Sequence, residues 1–465
     1  MQKVISETRN GRWLNPSSSR RATLRRFFFA AALLHLSVTA TVLMIGRTGV
    51  FSGQFDQKGL GIFASDGLTY QTEVMELCGV LRKEGVIAWA TWPTQLHVRL
   101  YSLPAAALNG EASFNVLKIE PLNLIYYLAI LFLVFKLGDV VFNYRAGLRA
   151  AVIVALWPSL LLHATQLLRD PLLITAFLIL ILSIALCLKR DYRWFKGILI
   201  GLAAVAAIVL IRIVRLPMWS ILWVITVLAV LFLIVRLVRQ KSFPAGNALF
   251  VTILIATMII TPRFQKTFHD QQVFNGPRLI VPEDIQKLTV NEQIAVRRQA
   301  FGLRLDSSGK TVPAEGGSDI DQDVHFDSGA DIIRYVPRAT EIGFLAPFPN
   351  MWISAGKAVG SGGRLLAGFE TLLIYGIEGL ALFGLWRERR QISPWFLSLV
   401  ITAGAVALGL VVANMGALYR LRYPFWILLI VLGASGADSL MRARSKAVIA
   451  KHAPGLEEPS GNVQS

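Results

Sequence analysis

An aspartate ahead of a glycine, a second aspartate ahead of a proline, and arginines in apolar surroundings are the residues through which this chain could act. Asp66 stands in Ser65-Asp66-Gly67-Leu68-Thr69-Tyr70. A carboxylate there could take the proton of an incoming hydroxyl or orient that nucleophile; as a bland alternative it would cap a helix or hold a turn. Asp170 stands in Leu167-Leu168-Arg169-Asp170-Pro171, where Asp-Pro is also a natural helix start. Arg169, Arg212 and Arg215, then Arg420 and Arg422 in Tyr419-Arg420-Leu421-Arg422-Tyr423-Pro424, suit a phosphate, which a guanidinium grips with parallel hydrogen bonds. Simple snorkelling of arginine to an interface is the alternative. Tyr70 and His97 complete the candidate binding set, His97 otherwise being a surface histidine.

Other charged groups are less specific. Glu370 and Glu378 fall two turns apart inside an apolar block, where an unpaired charge costs a few kcal/mol or more. They should face protein or water, with arginines as partners for Glu370, in either structural pairing or a proton path. Asp319, Asp321, Asp323 and Asp327 invite a calcium reading, but Val324 stands where an EF-hand needs Gly and Ala330 where it needs Glu, so the run reads as a solvated loop. No zinc-spaced His or Cys set and no P-loop is present. No cofactor is named on these grounds, and a divalent cation stays open.

These residues are carried by an all-α, polytopic framework. The chain is 54% apolar, and the apolar residues gather in blocks of about twenty, the length a helix needs to cross hydrocarbon. The blocks predict about ten spans: 27–46, 122–137, 147–165, 171–188, 195–211, 217–238, 245–261, 366–385, 395–413 and 423–440. The net charge of +18 sits mostly in clusters between blocks, which argues for topology signals and against a nucleic-acid partner. Every second connection is basic, from Arg20, Arg21, Arg25 and Arg26 to Arg442, Arg444 and Lys446. Both ends therefore read as cytoplasmic, and the connections 47–121 and 262–365 as outer. The chain divides into a tail 1–26, a transmembrane module 27–261, an outer region 262–365, helices 366–440 and a tail 441–465. The first span reads as a retained anchor, not a cleaved signal, and Cys78 and Cys187 as too far apart to pair.

In the first outer connection Tyr70, Val74, Leu77, Cys78 and Leu81 recur at helical spacing among charges, predicting an interfacial helix. A second is expected from about Thr94, after Trp89, Trp92 and Pro93, to be ended or kinked by Pro104. The stretch Phe344-Leu345-Ala346-Pro347-Phe348-Pro349 reads as resting on the membrane surface.

The block from Asp66 through Tyr70, Leu100-Tyr101 with Pro104, Asn123-Leu124, Tyr144-Arg145 and Ala155-Leu156-Trp157-Pro158-Ser159 to Arg169-Asp170 resembles polyprenyl-phosphate-sugar glycosyltransferases of the GT-C superfamily, especially bacterial family-39-like members. The segment Tyr419-Arg420-Leu421-Arg422-Tyr423-Pro424 is similar to that group's closing segment. The resemblance implies transfer of a sugar from a polyprenyl-phosphate carrier to a lipid, polysaccharide or protein acceptor at the outer face of the bacterial inner membrane. Asp66 would match the first-loop catalytic carboxylate and Asp170 the acidic residue of the second outer loop. Many relatives carry an acidic pair at the first position, whereas Gly67 follows Asp66 here. Two rival classes stand beside this one: an O-antigen-type polymerase or ligase resting on the arginines and the second large loop, and a carrier of lipid-linked saccharides coupled through Glu370 and Glu378.

Overall fold

Long apolar blocks leave the backbone no polar partner outside their own segment, and each folds as a helix that satisfies its own N–H and C=O groups. The structure is a computed structural model, which describes residues 16–64, 66–108, 114–241, 244–264, 288–301, 303–305, 311–313, 319–321, 323–353 and 360–452. Its helices in chain order are α1 (Pro16–Thr48), α2 (Asp66–Lys83), α3 (Gly85–Thr91), α4 (Leu96–Ala107), α5 (Glu120–Val141), α6 (Tyr144–Ala155), α7 (Pro158–Ala164), α8 (Asp170–Lys189) and α9 (Trp194–Val214). They continue as α10 (Trp219–Gln240), α11 (Ala245–Ile260), α12 (Val290–Phe301), α13 (Gly329–Leu345), α14 (Gly360–Arg387), α15 (Ile392–Val411), α16 (Met415–Leu421) and α17 (Tyr423–His452). A small antiparallel pair, β1 (Leu303–Leu305) with β2 (Thr311–Pro313), lies in the second long connection. Among the described residues, nine helices are long and apolar enough to cross a membrane, or up to ten if a bent pair counts as one span. The protein is thus an all-α polytopic membrane protein.

The bent pair is where 147–165 was expected to run straight: α6 and α7 meet at 67°. Trp157 precedes Pro158 and adopts an extended conformation, φ −73° and ψ 111°, as the residue before a proline must when the ring excludes the helical one. The break turns α7 toward the segment that carries Asp170. At the other end of the bundle Asp438 takes both Arg149 and Arg442. Arg236 donates to Cys187 O at 2.6 Å and to Asp191 at 2.5 Å.

The first long connection forms helices at the predicted places. Tyr70, Val74, Leu77 and Cys78 are the buried face of α2, which packs on α4. Pro104 sits inside α4 without ending it. The two cysteines are both free and buried.

The second connection departs from expectation. The helix α13, opened by a Ser328–Asp331 capping box, packs along α15. Gly343 and Gly409 make this possible, since a Cβ at Gly343 would overlap Ala405 O and one at Gly409 would overlap Ala339 O. Ala405 lies about 9 Å below the end of α15 at 1.5 Å per residue, so the tip of α13 descends along a spanning helix. The acidic run is not simply solvated: Asp321 receives Arg338 at 2.9 Å and Tyr335 at 2.8 Å, and Asp319 receives Asn414 at 2.9 Å. Arg298 reaches the terminal carbonyls of α15, Gly409 O at 3.3 Å and Leu410 O at 3.1 Å, a cation where a helix C-terminus favours one.

Candidate functional site

Asp66 is the first residue of α2, not its cap, and its neighbour Gly67 explains how the helix starts where it does. A Cβ at Gly67 would lie 3.2 Å from Leu167 O, so the absent side chain lets the first turn of α2 sit against the segment leading to Asp170. From the other side Gln166 accepts the N–H of Gly61 at 2.7 Å and donates to Gly59 O at 3.3 Å. Tyr101 donates to Asn123 Oδ1 at 2.7 Å, and its hydroxyl lies 3.1 Å from Leu168 O. The approaches to both aspartates are therefore held by buried polar contacts across the chain.

The aspartates are linked by one guanidinium. Arg420 Nη1, on α16, lies 3.1 Å from Asp66 Oδ2 and 3.9 Å from Asp170 Oδ2. Arg215, just beyond α9, pairs with the other oxygen of Asp170 at 3.1 Å. Arg169 stands beside Asp170, close enough for its charge to act on Tyr70, His97 and Arg215. Tyr70 meets His97 edge to face with ring centres 4.4 Å apart.

Burial and charge set the protonation states. His97 is buried, which with the Arg169 charge lowers its pKa to about 3, so it is neutral at ordinary pH. Burial raises the Tyr70 hydroxyl against the opposing pull of Arg169. Burial lowers Arg215 to about 10, with Arg169 adding to the fall. For Arg420 burial also disfavours the charge, but Asp170 and then Asp66 outweigh it and hold the group above its usual value. Three guanidiniums (Arg169, Arg215, Arg420) face two carboxylates (Asp66, Asp170), leaving one positive charge in excess. Such a site accepts an anion.

Comparison with known proteins adds little at the level of sequence. No family model matches the chain, and no curated protein matches it. Among solved structures it is similar to the archaeal oligosaccharyltransferase AglB from Archaeoglobus fulgidus, in complex with an inhibitory peptide and a dolichol-phosphate. The TM-score is 0.45 at 12% identity, with 91% of this chain and 52% of that one covered. The chain spans about half the length of that protein.

Not every predicted site residue converges. Arg212 stacks on the Trp219 ring at 4.3 Å, whereas Arg215, beyond two more helical residues and just past the end of α9, turns in to Asp170. Arg422 is 1% exposed and donates to Ala346 O at 2.5 Å and Gly343 O at 3.4 Å. It caps the C-terminal carbonyls of α13 and stacks on Trp426 at 4.2 Å, so it does not face the aspartates. Glu370 corrects a further expectation: its partners are not arginines. It accepts the Ser159 N–H and Oγ–H, each at 2.6 Å, and the Tyr419 hydroxyl. Glu378 instead lines a cavity of about 200 Å³ with Phe344, Ser398 and Thr402.

The divalent-cation option meets a donor set that does not suit it. Among the described residues no group of three His, Cys, Asp or Glu could hold a metal ion, and Asp66 and Asp170 share the Arg420 guanidinium. Gln166 and His163 stand outside the motifs read from the sequence, and Ser159, Tyr419 and Tyr423 entered only as members of those motifs, with no role of their own. Their polar atoms matter through partners that are distant in the chain, such as His163 Nδ1 at 3.2 Å from the Tyr423 hydroxyl, and no local spacing marks them.

Proposed function

We propose that this chain is a membrane glycosyltransferase of the GT-C kind, moving a sugar from a polyprenyl-phosphate donor to a lipid, polysaccharide or protein acceptor at the outer face of a bacterial inner membrane. The observation that carries the reading is the Asp66–Arg420–Asp170–Arg215 cluster at one end of the helix bundle. The strict alternation of basic connections supports placing that end outside. In the transfer, the acceptor oxygen bonds to the anomeric carbon as Asp66 takes the hydroxyl proton. The bond from that carbon to the phosphate oxygen breaks, its electron pair leaving with the polyprenyl phosphate. Arg420 and Arg215 neutralise the charge that grows on the leaving group. Asp170 holds both arginines, and its side chain is 8% exposed against 37% for Asp66, which favours Asp66 as the group that meets the acceptor. Attack opposite the leaving group predicts inversion.

The polymerase or ligase reading would lean on Arg422, which is engaged by carbonyls of α13. The carrier reading would lean on Glu370 and Glu378; three hydrogen bonds hold Glu370 in place, while Glu378 lines the cavity beside Phe344. The engagement of Arg422 and Glu370 favours glycosyl transfer. The test compares envelope glycans by mass spectrometry in cells carrying wild type, Asp66→Asn or no copy. Asp66→Asn, inserted at the wild-type level, is expected to match the deletion; full glycan product from it would overturn the proposal.

A further inference from the structure

We infer that Arg420 keeps the Asp66 carboxylate engaged until a lipid-linked phosphate arrives, so that the donor binds before the acceptor. The inference rests on the reading of Asp66 as base and of the arginines as phosphate ligands. A single nitrogen, Nη1 of Arg420, serves both aspartates, at 3.1 Å from Asp66 and 3.9 Å from Asp170. The two anions are held unequally. Asp170 is buried and has a second cation in Arg215. Asp66 has a side chain 37% exposed, and among the described residues Arg420 is its one ion-pair partner.

The phosphodiester of a polyprenyl-phosphate sugar carries one full negative charge and two free oxygens, which two guanidiniums can grip together. Arriving at Arg420 and Arg215, it competes with two carboxylates, and the half-solvated one yields first because a partly exposed ion pair is weak. The Asp170–Arg215 contact persists as the anchor. Once the guanidinium moves to the phosphate, the Asp66 carboxylate loses its ion-pair partner and its oxygens are free to meet an acceptor hydroxyl. An acceptor hydroxyl that comes first meets a carboxylate already in use. The same arginine thus binds the leaving group and governs when the base is free.

The competition has a sign that can be measured without knowing the sugar or the acceptor. Farnesyl phosphate, a shortened form of the departing carrier that presents a phosphate to the same arginines, is the probe, titrated by calorimetry into the full-length protein in nanodiscs. Removing the competing carboxylate with Asp66→Asn is expected to tighten farnesyl phosphate roughly two- to fivefold, the value of one partly exposed ion pair. A general loss of negative charge would also tighten binding, so the cycle is completed with Arg420→Ala and the double variant. The gain from Asp66→Asn is expected to vanish in the Arg420→Ala background. Unchanged or weaker binding by Asp66→Asn, or a gain that persists without Arg420, overturns the inference while leaving the donor reading intact. A wild-type protein that ignores farnesyl phosphate overturns the reading of these arginines as ligands of a lipid phosphate.

Discussion

Glu370 is the residue whose replacement tests most directly how the site is held. It is fully buried, and its carboxylate accepts the N–H and hydroxyl of Ser159 and the hydroxyl of Tyr419. Ser159 lies in the first turn of α7, which leads to Gln166 and Asp170; Tyr419 precedes Arg420. One side chain therefore joins the two segments that bring Arg420 to Asp170. Glu370→Ala strands the Ser159 N–H, whose direction the helix start fixes, at a cost of about 1–3 kcal/mol. The hydroxyls can rotate, but the space left by the removed atoms adds to the loss, and a total of about 2–4 kcal/mol follows. Glu370→Gln keeps an oxygen for the Ser159 N–H and offers its amide N–H to the hydroxyl oxygens, so its cost should stay within about 1 kcal/mol. Reversible unfolding in mixed micelles by steric trapping gives both values, and farnesyl phosphate affinity reports whether Arg420 has shifted. The reasoning fails if Glu370→Ala is as stable as wild type, or if Glu370→Gln costs as much as Glu370→Ala.

Two further outcomes follow from burial and topology. His97 has a folded pKa of about 3 against about 6.5 unfolded, so below pH 6.5 the unfolded chain binds a proton that the folded one refuses. Stability should fall as pH drops from 6.5 toward 3, by about 2 kcal/mol at pH 5, and His97→Gln should remove that slope; a slope unchanged in the variant would count against a buried neutral His97. Since Cys78 and Cys187 are buried, a cysteine placed at Ile353, which is 82% exposed, should be the reactive thiol of intact cells. A membrane-impermeant maleimide is expected to label Ile353→Cys from outside, and labelling confined to opened cells would reverse the proposed orientation.

The framework was legible because hydrophobic length is a local property. The block 171–188 appears as Asp170–Lys189 and 245–261 as Ala245–Ile260, since twenty apolar residues in hydrocarbon have no other way to satisfy their backbone. Charge placement told which connections share a face, and that was enough to group Asp66, Tyr70, His97, Arg169, Asp170, Arg215 and Arg420 before any coordinates. It was not enough to separate Arg215 from Arg212 or Arg420 from Arg422. Each pair lies in one apolar-basic cluster, and which member turns toward the aspartates depends on helix phase and on what the other finds: the Trp219 ring for Arg212, the carbonyls of α13 for Arg422.

Long-range polar pairing lay beyond the sequence altogether. Nothing local marks Ser159 or Tyr419 as a partner of Glu370 until the fold brings them within hydrogen-bonding distance of it, across 211 positions for the first and 49 for the second. The descent of α13 along α15 was hidden for a related reason: a short apolar stretch with prolines suits a surface as well as a groove, and the glycines that open the groove lie in two separate helices. Sequence alone determined that this chain lives in a membrane and which residues share a side of it, because those follow from composition read along the chain. Tertiary structure decided which charges touch, because contact depends on the rotation and close approach of helices that no local pattern encodes.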